Sequence, residues 1–291
     1  MNLDSNLTGT RLKGLTREVT WRDTMNFAAA VSDVNPRYFD DTAEDGIVAP
    51  PLFAVALTWP FIVNVQQQLP DLLPMELVVN MVHATEHLLF HRPVRPGDRL
   101  EIGGRVAAVV PSRSGTLMVL KLEAPDTEGR PVFTEYGGAF FRGVGCAGQG
   151  RGRETLPELP RWAPLPAPIW SAEVPVPAEA AHVYDGCTNI VFGIHTSRAF
   201  ARSVGLPQPI YQGTATLAIA AREIVNREVG GVPERLTEIS CRFAGMVAPG
   251  TTIRVEAVKS EPVPEGRLLS FRVLNSEGRP AIQKGFARLA G

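Results

Sequence analysis

The sequence predicts an α+β chain made of two tandem units, each a curved antiparallel sheet wrapped around one long central helix. Three observations lead there: a glycine- and proline-dense stretch near the middle of the 291 residues, a second half that repeats features of the first, and one order of helices and strands on both sides of that stretch. Residues 143–168, GVGCAGQGRGRETLPELPRWAPLPAP, show no sustained period of 2 or 3.6. A loop of that length is uncommon inside a compact domain, so it reads as a boundary. The expected division is an N-terminal unit over residues 1–143, a linker over 144–168 and a C-terminal unit over 169–291.

Each element follows from local pattern. The first half begins with a short helix over residues 21–31, followed by an irregular loop and a proline-opened apolar helix over 51–68. Runs rich in Val, Leu, Ile and Phe then predict strands over 77–90, 99–110, 116–123 and 131–141. The second half repeats the order: helices over 178–187 and 212–226, then strands over 238–243, 252–259, 268–273 and 281–289. The long helix of the first half is apolar nearly all round, so it must be buried. A curved sheet closing over such a helix satisfies both apolar surfaces, which is the hot-dog architecture, here in double form.

The halves also match residue by residue. FHRPVRPGDRLEI (residues 90–102) parallels FAGMVAPGTTIRV (243–255), with Pro96-Gly97 falling on Pro249-Gly250, Phe90 on Phe243, Val94 on Val247 and Ile102 on Val255. In both, an alternating strand ends in a Pro-Gly turn and another begins. An internal duplication accounts for the match.

Composition excludes several classes. The chain is 44% hydrophobic and 20% charged, enough to build packed cores. Its formal net charge of −1 offers no global field for nucleic acid or an anionic membrane, so no nucleic-acid partner is expected. An anionic ligand must be met by local arginines such as Arg92 and Arg242, which precede the two Pro-Gly turns and also suit solvated strand ends. Cys146, Cys187 and Cys241 are isolated, which gives neither a disulfide framework nor a metal pair. Five histidines without an HExxH pattern leave a metal unexpected. The polar N-terminus lacks an apolar leader, and the most apolar run, residues 51–65, is short and holds Pro51, Pro60 and Asn64. A cytoplasmic protein without a membrane span is expected.

Two segments carry a family resemblance. SDVNPRYFD (32–40) is similar to the SxDxNPxHxD motif of the MaoC-like dehydratases, which include the R-specific enoyl-CoA hydratases. GIHTSRAFARSVGLPQPIYQGTATLAIA (193–220) resembles that family's NPxHxDxxxAxxxGxxxPIxHGxxxxA. The resemblance runs from about residue 17 to the C-terminus, the linker excepted. It implies reversible hydration of a 2-enoyl thioester, carried on CoA or a carrier protein, with no further cofactor. It also implies an Asp and a His, five residues apart, holding a water between them, and a backbone N–H at the start of the central helix receiving the charge on the thioester oxygen.

Carried over position by position, the first half keeps the acid as Asp33 but has Tyr38 at the histidine. The second half keeps the histidine as His195 but has Ile190 at the acid, and reads Gln212-Gly213 where the family has HG. The resemblance therefore implies His195 as the base, Gly213 N–H as the oxyanion donor and Asn189, next to Ile190, as the group that orients water. Asparagine cannot accept the proton. Each residue also has a plainer use: Asn189 as a cap or turn residue, Gly213 for close packing, Asp33 as the acceptor of its own turn, Asp185 on a solvated helix face. His83, His87 and His91 recur every four residues, which on a strand puts them on one face as structural histidines.

Three functions compete. The first is a hydro-lyase, an acyl-CoA dehydratase or 2-enoyl-CoA hydratase of fatty acid metabolism, whose first half holds the acyl tail. Phe53, Trp59 and Phe61 would line its pocket or simply fill the core. The second is a catalytically degenerate acyl-CoA-binding subunit. The third is a hot-dog thioesterase, which needs a carboxylate facing the second central helix, where the sequence offers Gln212 and Thr214. The partner, if any, is a second copy or a related hot-dog subunit.

Overall fold

The computed structural model describes residues 2–69, 73, 75–78, 81–161 and 167–291. The first half opens with β1 (Asn2–Asp4) and β2 (Arg11–Glu18), then α1 (Trp21–Ala30). The central helix α2 (Phe53–Val63) comes next, with the short α3 (Val65–Gln68) and α4 (Met75–Val78) behind it. Strands β3 (Met81–Phe90), β4 (Arg99–Ser112), β5 (Gly115–Pro125) and β6 (Pro131–Arg142) complete the half, and β7 (Gly145–Ala147) follows. The second half runs β8 (Trp170–Val176), α5 (Ala180–Thr188), α6 (Gly193–Thr196), α7 (Arg198–Ser203) and the central helix α8 (Gly213–Glu228). It ends with β9 (Leu236–Phe243), β10 (Thr251–Val263), β11 (Gly266–Leu274) and β12 (Pro280–Ala290).

Ten strands form one antiparallel sheet in the order β2-β4-β5-β6-β3-β9-β12-β11-β10-β8. Read inward from either edge the two halves have the same order, and they meet where β3 pairs with β9. The duplication reaches single hydrogen bonds. Gly97 N–H donates to Val19 C=O and Gly250 N–H to Val176 C=O, both at 2.8 Å. Both glycines have positive φ, the conformation these turns require and glycine supplies at least cost. Likewise Ala49 N–H meets Val94 C=O, and Tyr211 N–H meets Val247 C=O, again at 2.8 Å.

The helices form where the sequence puts good formers and caps. Thr20 and Asp23 close a reciprocal capping box at the start of α1. The run ATLAIAA of α8 buries Ala215 to Ala221 against the sheet. Phe53 and Phe61 of α2 are core residues, so truncating Phe61 would cost about 3–5 kcal/mol; Trp59 packs half-buried at the core's edge. Edge-on ring contacts of Phe27 with Phe53 (5.8 Å) and with Tyr184 (5.9 Å) lock α1, α2 and α5 together across the two halves.

Several expectations need revision. The helix anticipated over 51–68 begins at Phe53 and breaks at Asn64, just past Pro60. Leu77, expected in a strand, is helical, and residues 79–80 of the same expected strand lie outside the described residues. Edge strands β2 and β8 were not anticipated. The start of the glycine-rich stretch is packed rather than extended: β7 pairs in parallel with β1, and Arg151 bridges to Val109. Gly152 is there for close approach, since a Cβ would lie 2.1 Å from Ala107 O. Residues 162–166 of that stretch lie outside the described residues.

Candidate active site

The His195 loop is built from the end of α5 to the start of α8. Ser197 caps α7 by accepting the Phe200 N–H, and Ile210 N–H returns to Ile194 C=O, folding the segment into a compact hairpin. His195, on α6, is half-buried, and its Nδ1 lies 2.9 Å from Ile210 C=O. A carbonyl only accepts, so the ring proton sits on Nδ1 and the Nε2 lone pair is left for another partner. Burial pushes the imidazole below its ordinary pKa, partly offset by the Ile210 carbonyl. The side chain is therefore a neutral base at physiological pH.

Gly213 is the first residue of α8. Its N–H belongs to the unpaired first turn, where the helix dipole is positive. Gln212 anchors the turn from a buried position, its Nε2 donating to Ala181 C=O at 2.9 Å. The buried Tyr184 hydroxyl donates to Thr214 Oγ1 at 3.2 Å. Phe243 closes one side, its ring 3.1 Å from where a Cβ on Gly213 would stand.

Asn189 is exposed and holds a left-handed backbone (φ 57°) as the C-cap of α5. Its side chain has no hydrogen-bond partner among the described residues. Ile190, next to it, is buried at 2% exposure, so the family's acid position faces the core. Asp185, expected on a solvated face, is half-buried; its Oδ2 is buried without a partner, and burial raises its pKa.

The first half's equivalent site is closed. Tyr38 is 1% exposed, and Asp33 accepts the Asn35 N–H at 3.2 Å, its pKa raised by burial. Asn35 Nδ2 donates to Gly231 C=O at 2.8 Å, Arg37 pairs with Glu234, and Arg222 reaches Val31 C=O at 2.5 Å. The end of α8 and the turn after it plug the loop, leaving only an open groove. Arg92 is also engaged, bidentate to Asp98 at 2.8 and 2.9 Å, so Arg242 is the freer of the two arginines.

The three strand histidines do not share a face. A β-bulge between His83 and Thr85 turns His83 toward Glu86, whereas His87 meets Glu238 at 2.8 Å and stacks on Tyr136 on the other side. Among the described residues no group of His, Cys, Asp and Glu is placed to hold a metal ion, and no helix is long and apolar enough to cross a membrane.

Two sheet-sharing units, each with a central helix, and a histidine loop leading into the second of those helices make this a double hot-dog protein. The MaoC like domain pattern matches residues 167–273, and the pattern of the FAS1-like, dehydratase domain region matches residues 6–135. Residues 167–273 thus carry a MaoC like domain and residues 6–135 a FAS1-like dehydratase region. The chain is 25% identical over 249 residues to the enoyl-CoA hydratase ChsH3 of Mycobacterium tuberculosis, covering 83% of this chain and 85% of that one. It is 27% identical over 175 residues to a probable enoyl-CoA hydratase 2 of Dictyostelium discoideum, covering 60% of this chain and 58% of that one. The crystal structure of a MaoC-like dehydratase from Phytophthora capsici superposes with a TM-score of 0.86 at 24% identity, over 100% of this chain and 98% of that one.

Proposed function

We propose that the chain is a hydro-lyase that adds water across the double bond of a 2-enoyl-CoA and removes it from the 3-hydroxyacyl-CoA. The observation that carries this is the fixed tautomer of His195: Nδ1–H bound to Ile210 C=O, Nε2 open, the ring neutral. His195 Nε2 takes a proton from water as the water oxygen bonds to C3. The C2–C3 π electrons move toward the thioester, and the oxygen that gains charge is met by Gly213 N–H and the dipole of α8. C2 then takes a proton, so one water is consumed and histidine returns to neutral. The Asn189 amide orients the water without accepting its proton, leaving His195 as the base.

The same reading assigns residues 1–143 to an N-terminal unit that holds the acyl tail, 144–168 to a linker and 169–291 to the unit carrying the chemistry. It places the enzyme in the cytoplasm, paired with a second copy or a related hot-dog subunit. The test is loss of the conjugated thioester absorbance on hydration of trans-2-enoyl-CoAs of graded length. His195→Ala should lose about a hundredfold or more of kcat/KM. Binding without turnover by the wild type would instead identify a degenerate acyl-CoA-binding subunit, and release of free CoA thiol would identify a thioesterase.

A further inference from the structure

The helix-facing side of the middle strands carries a polar group that the hydration chemistry leaves unused. Glu135 on β6 accepts a hydrogen bond from Thr58 in the middle of α2, which fixes the face it occupies. Leu88 lies opposite Glu135 in the β3–β6 register, so Glu86, two residues before Leu88, shares that face. The bulge in β3 brings His83 alongside, with Nε2 3.1 Å from Glu86 Oε2 but out of line for a hydrogen bond. Glu86 and Glu135 are both 0% exposed. Both oxygens of Glu86, Oε1 of Glu135 and Nε2 of His83 have no hydrogen-bond partner, and neither does the buried Oε1 of Gln212 at the start of α8.

The cluster lies close to the thioester end of the proposed site. The His83 ring is 4.8 Å from the ring of Phe243, which in turn covers Gly213. From there the polar atoms run across the seam of the two halves, where β3 pairs with β9, to Thr58 of α2. The His83 side chain keeps 21% exposure beside Phe243, while its Nε2 is buried with the two glutamates.

We propose that Glu86, Glu135 and His83 form a polar subsite for the acyl chain, and that the preferred substrate carries a neutral hydrogen-bonding group, a hydroxyl or oxo, beyond the reacting double bond. This rests on the hydratase reading and names its substrate class. A buried polar atom left without a partner costs about 1–3 kcal/mol, and a substrate oxygen would supply the missing partners. Burial pushes Glu86 up to about 8 and Glu135 well above the carboxylate range, the latter raised further by the charge of Glu86. Both are therefore protonated at neutral pH, and a protonated carboxyl donates and accepts, as a hydroxyl or carbonyl needs. A plain alkyl chain would leave every one of these atoms unpaired.

The test compares kcat/KM for trans-2-octenoyl-CoA with that for the same chain bearing a hydroxyl or oxo group at successive positions from C5 to C8, in wild type, Glu86→Leu and Glu135→Leu. At least one oxygenated isomer should be preferred by about tenfold or more in the wild type, since sites built around a substrate hydroxyl reject its absence strongly. Each leucine variant should fold, as checked by circular dichroism, and bring the ratio of kcat/KM for the oxygenated and plain chains toward one. Equal rates on all chains in the wild type, or an unchanged preference in both variants, would overturn the subsite. Should the wild type hydrate no chain, the hydratase reading fails separately. Calorimetric binding of saturated acyl-CoAs with and without the oxygen then decides the subsite by itself: tighter binding of the oxygenated chain, abolished by Glu86→Leu, supports it, and equal binding overturns it.

Discussion

Ser32 and Asn189 both hold a left-handed backbone, at φ 52° and 57°, and each lies six residues before the aligned pair Tyr38 and His195. That conformation costs most residues with a Cβ about 1–2 kcal/mol, and asparagine tolerates it best after glycine. The two halves have thus kept one left-handed turn while the side chains after it diverged: Asp33 against Ile190, Tyr38 against His195. The turn sets where the following loop leaves the helix, and only the second half keeps a histidine to use it.

Asn189 therefore has two separable properties, its backbone and its amide. Asn189→Gly keeps the left-handed turn and removes the amide, because glycine adopts positive φ freely. Asn189→Val removes both. The valine variant should lose about 1–2 kcal/mol of stability by denaturant titration, the glycine variant almost none. If the amide orients the water, Asn189→Gly should still lose up to about tenfold in kcat/KM, the size of one neutral hydrogen bond. Full activity in Asn189→Gly would make the residue a turn former alone.

The pH profile should report His195. Its base form is the neutral one, and burial holds its pKa below the ordinary histidine value. As pH falls, kcat/KM should hold through about 6.5 and decline only below it, the rate being lost as Nε2 takes up a proton. Measured with a substrate that does not itself titrate in this range, an acid limb centred above 6.5 would contradict a buried, neutral base.

Gly213 can lose its N–H without losing its helix. Proline is well tolerated at the first position of a helix, and Gln212 already has the extended ψ of 135° that a following proline requires. Gly213→Pro should keep the fold by circular dichroism, with Phe243 shifting to admit the ring. It should lose about a hundred- to a thousandfold in kcat, as expected for removing one oxyanion donor. Undiminished kcat would place the charge on another group.

Much of this was legible because it is written locally. Alternating strands, Pro-Gly turns and apolar central helices leave periodic traces, and the two copies reinforce each other. What escaped depends on partners distant in sequence. Strand β2 is largely exposed and charged, and β8 carries Pro175; both sit at sheet edges, where alternation weakens and proline is tolerated. The even spacing of His83, His87 and His91 assumed an unbroken strand, and one bulge reverses the face of His83. The glycines before Thr155 read as linker, although Gly152 is there to let the chain lie against Ala107. His195, Asn189 and Gly213 came from the resemblance. The buried Glu86–Glu135 group came from neither pattern nor motif, since a glutamate in a strand shows its burial only once the helices are packed on it.

The buried pair should also leave its mark on stability. Glu86 ionises at an ordinary 4.5 when unfolded and at about 8 in the folded chain. Between those values the folded state keeps a proton that the unfolded state releases, so stability must fall as pH rises through this window and level off above it. Glu135 is shifted in the same direction. The depressed histidines act oppositely below about 6.5, so the clean observable is a difference between proteins rather than one curve. Glu86→Gln has nothing to ionise. Its melting temperature relative to wild type should therefore rise steadily from pH 5 to pH 8.5, as measured by calorimetry in matched buffers. Parallel curves over that range would mean that Glu86 ionises as readily inside the fold as outside it, and that the group is solvated rather than buried without partners.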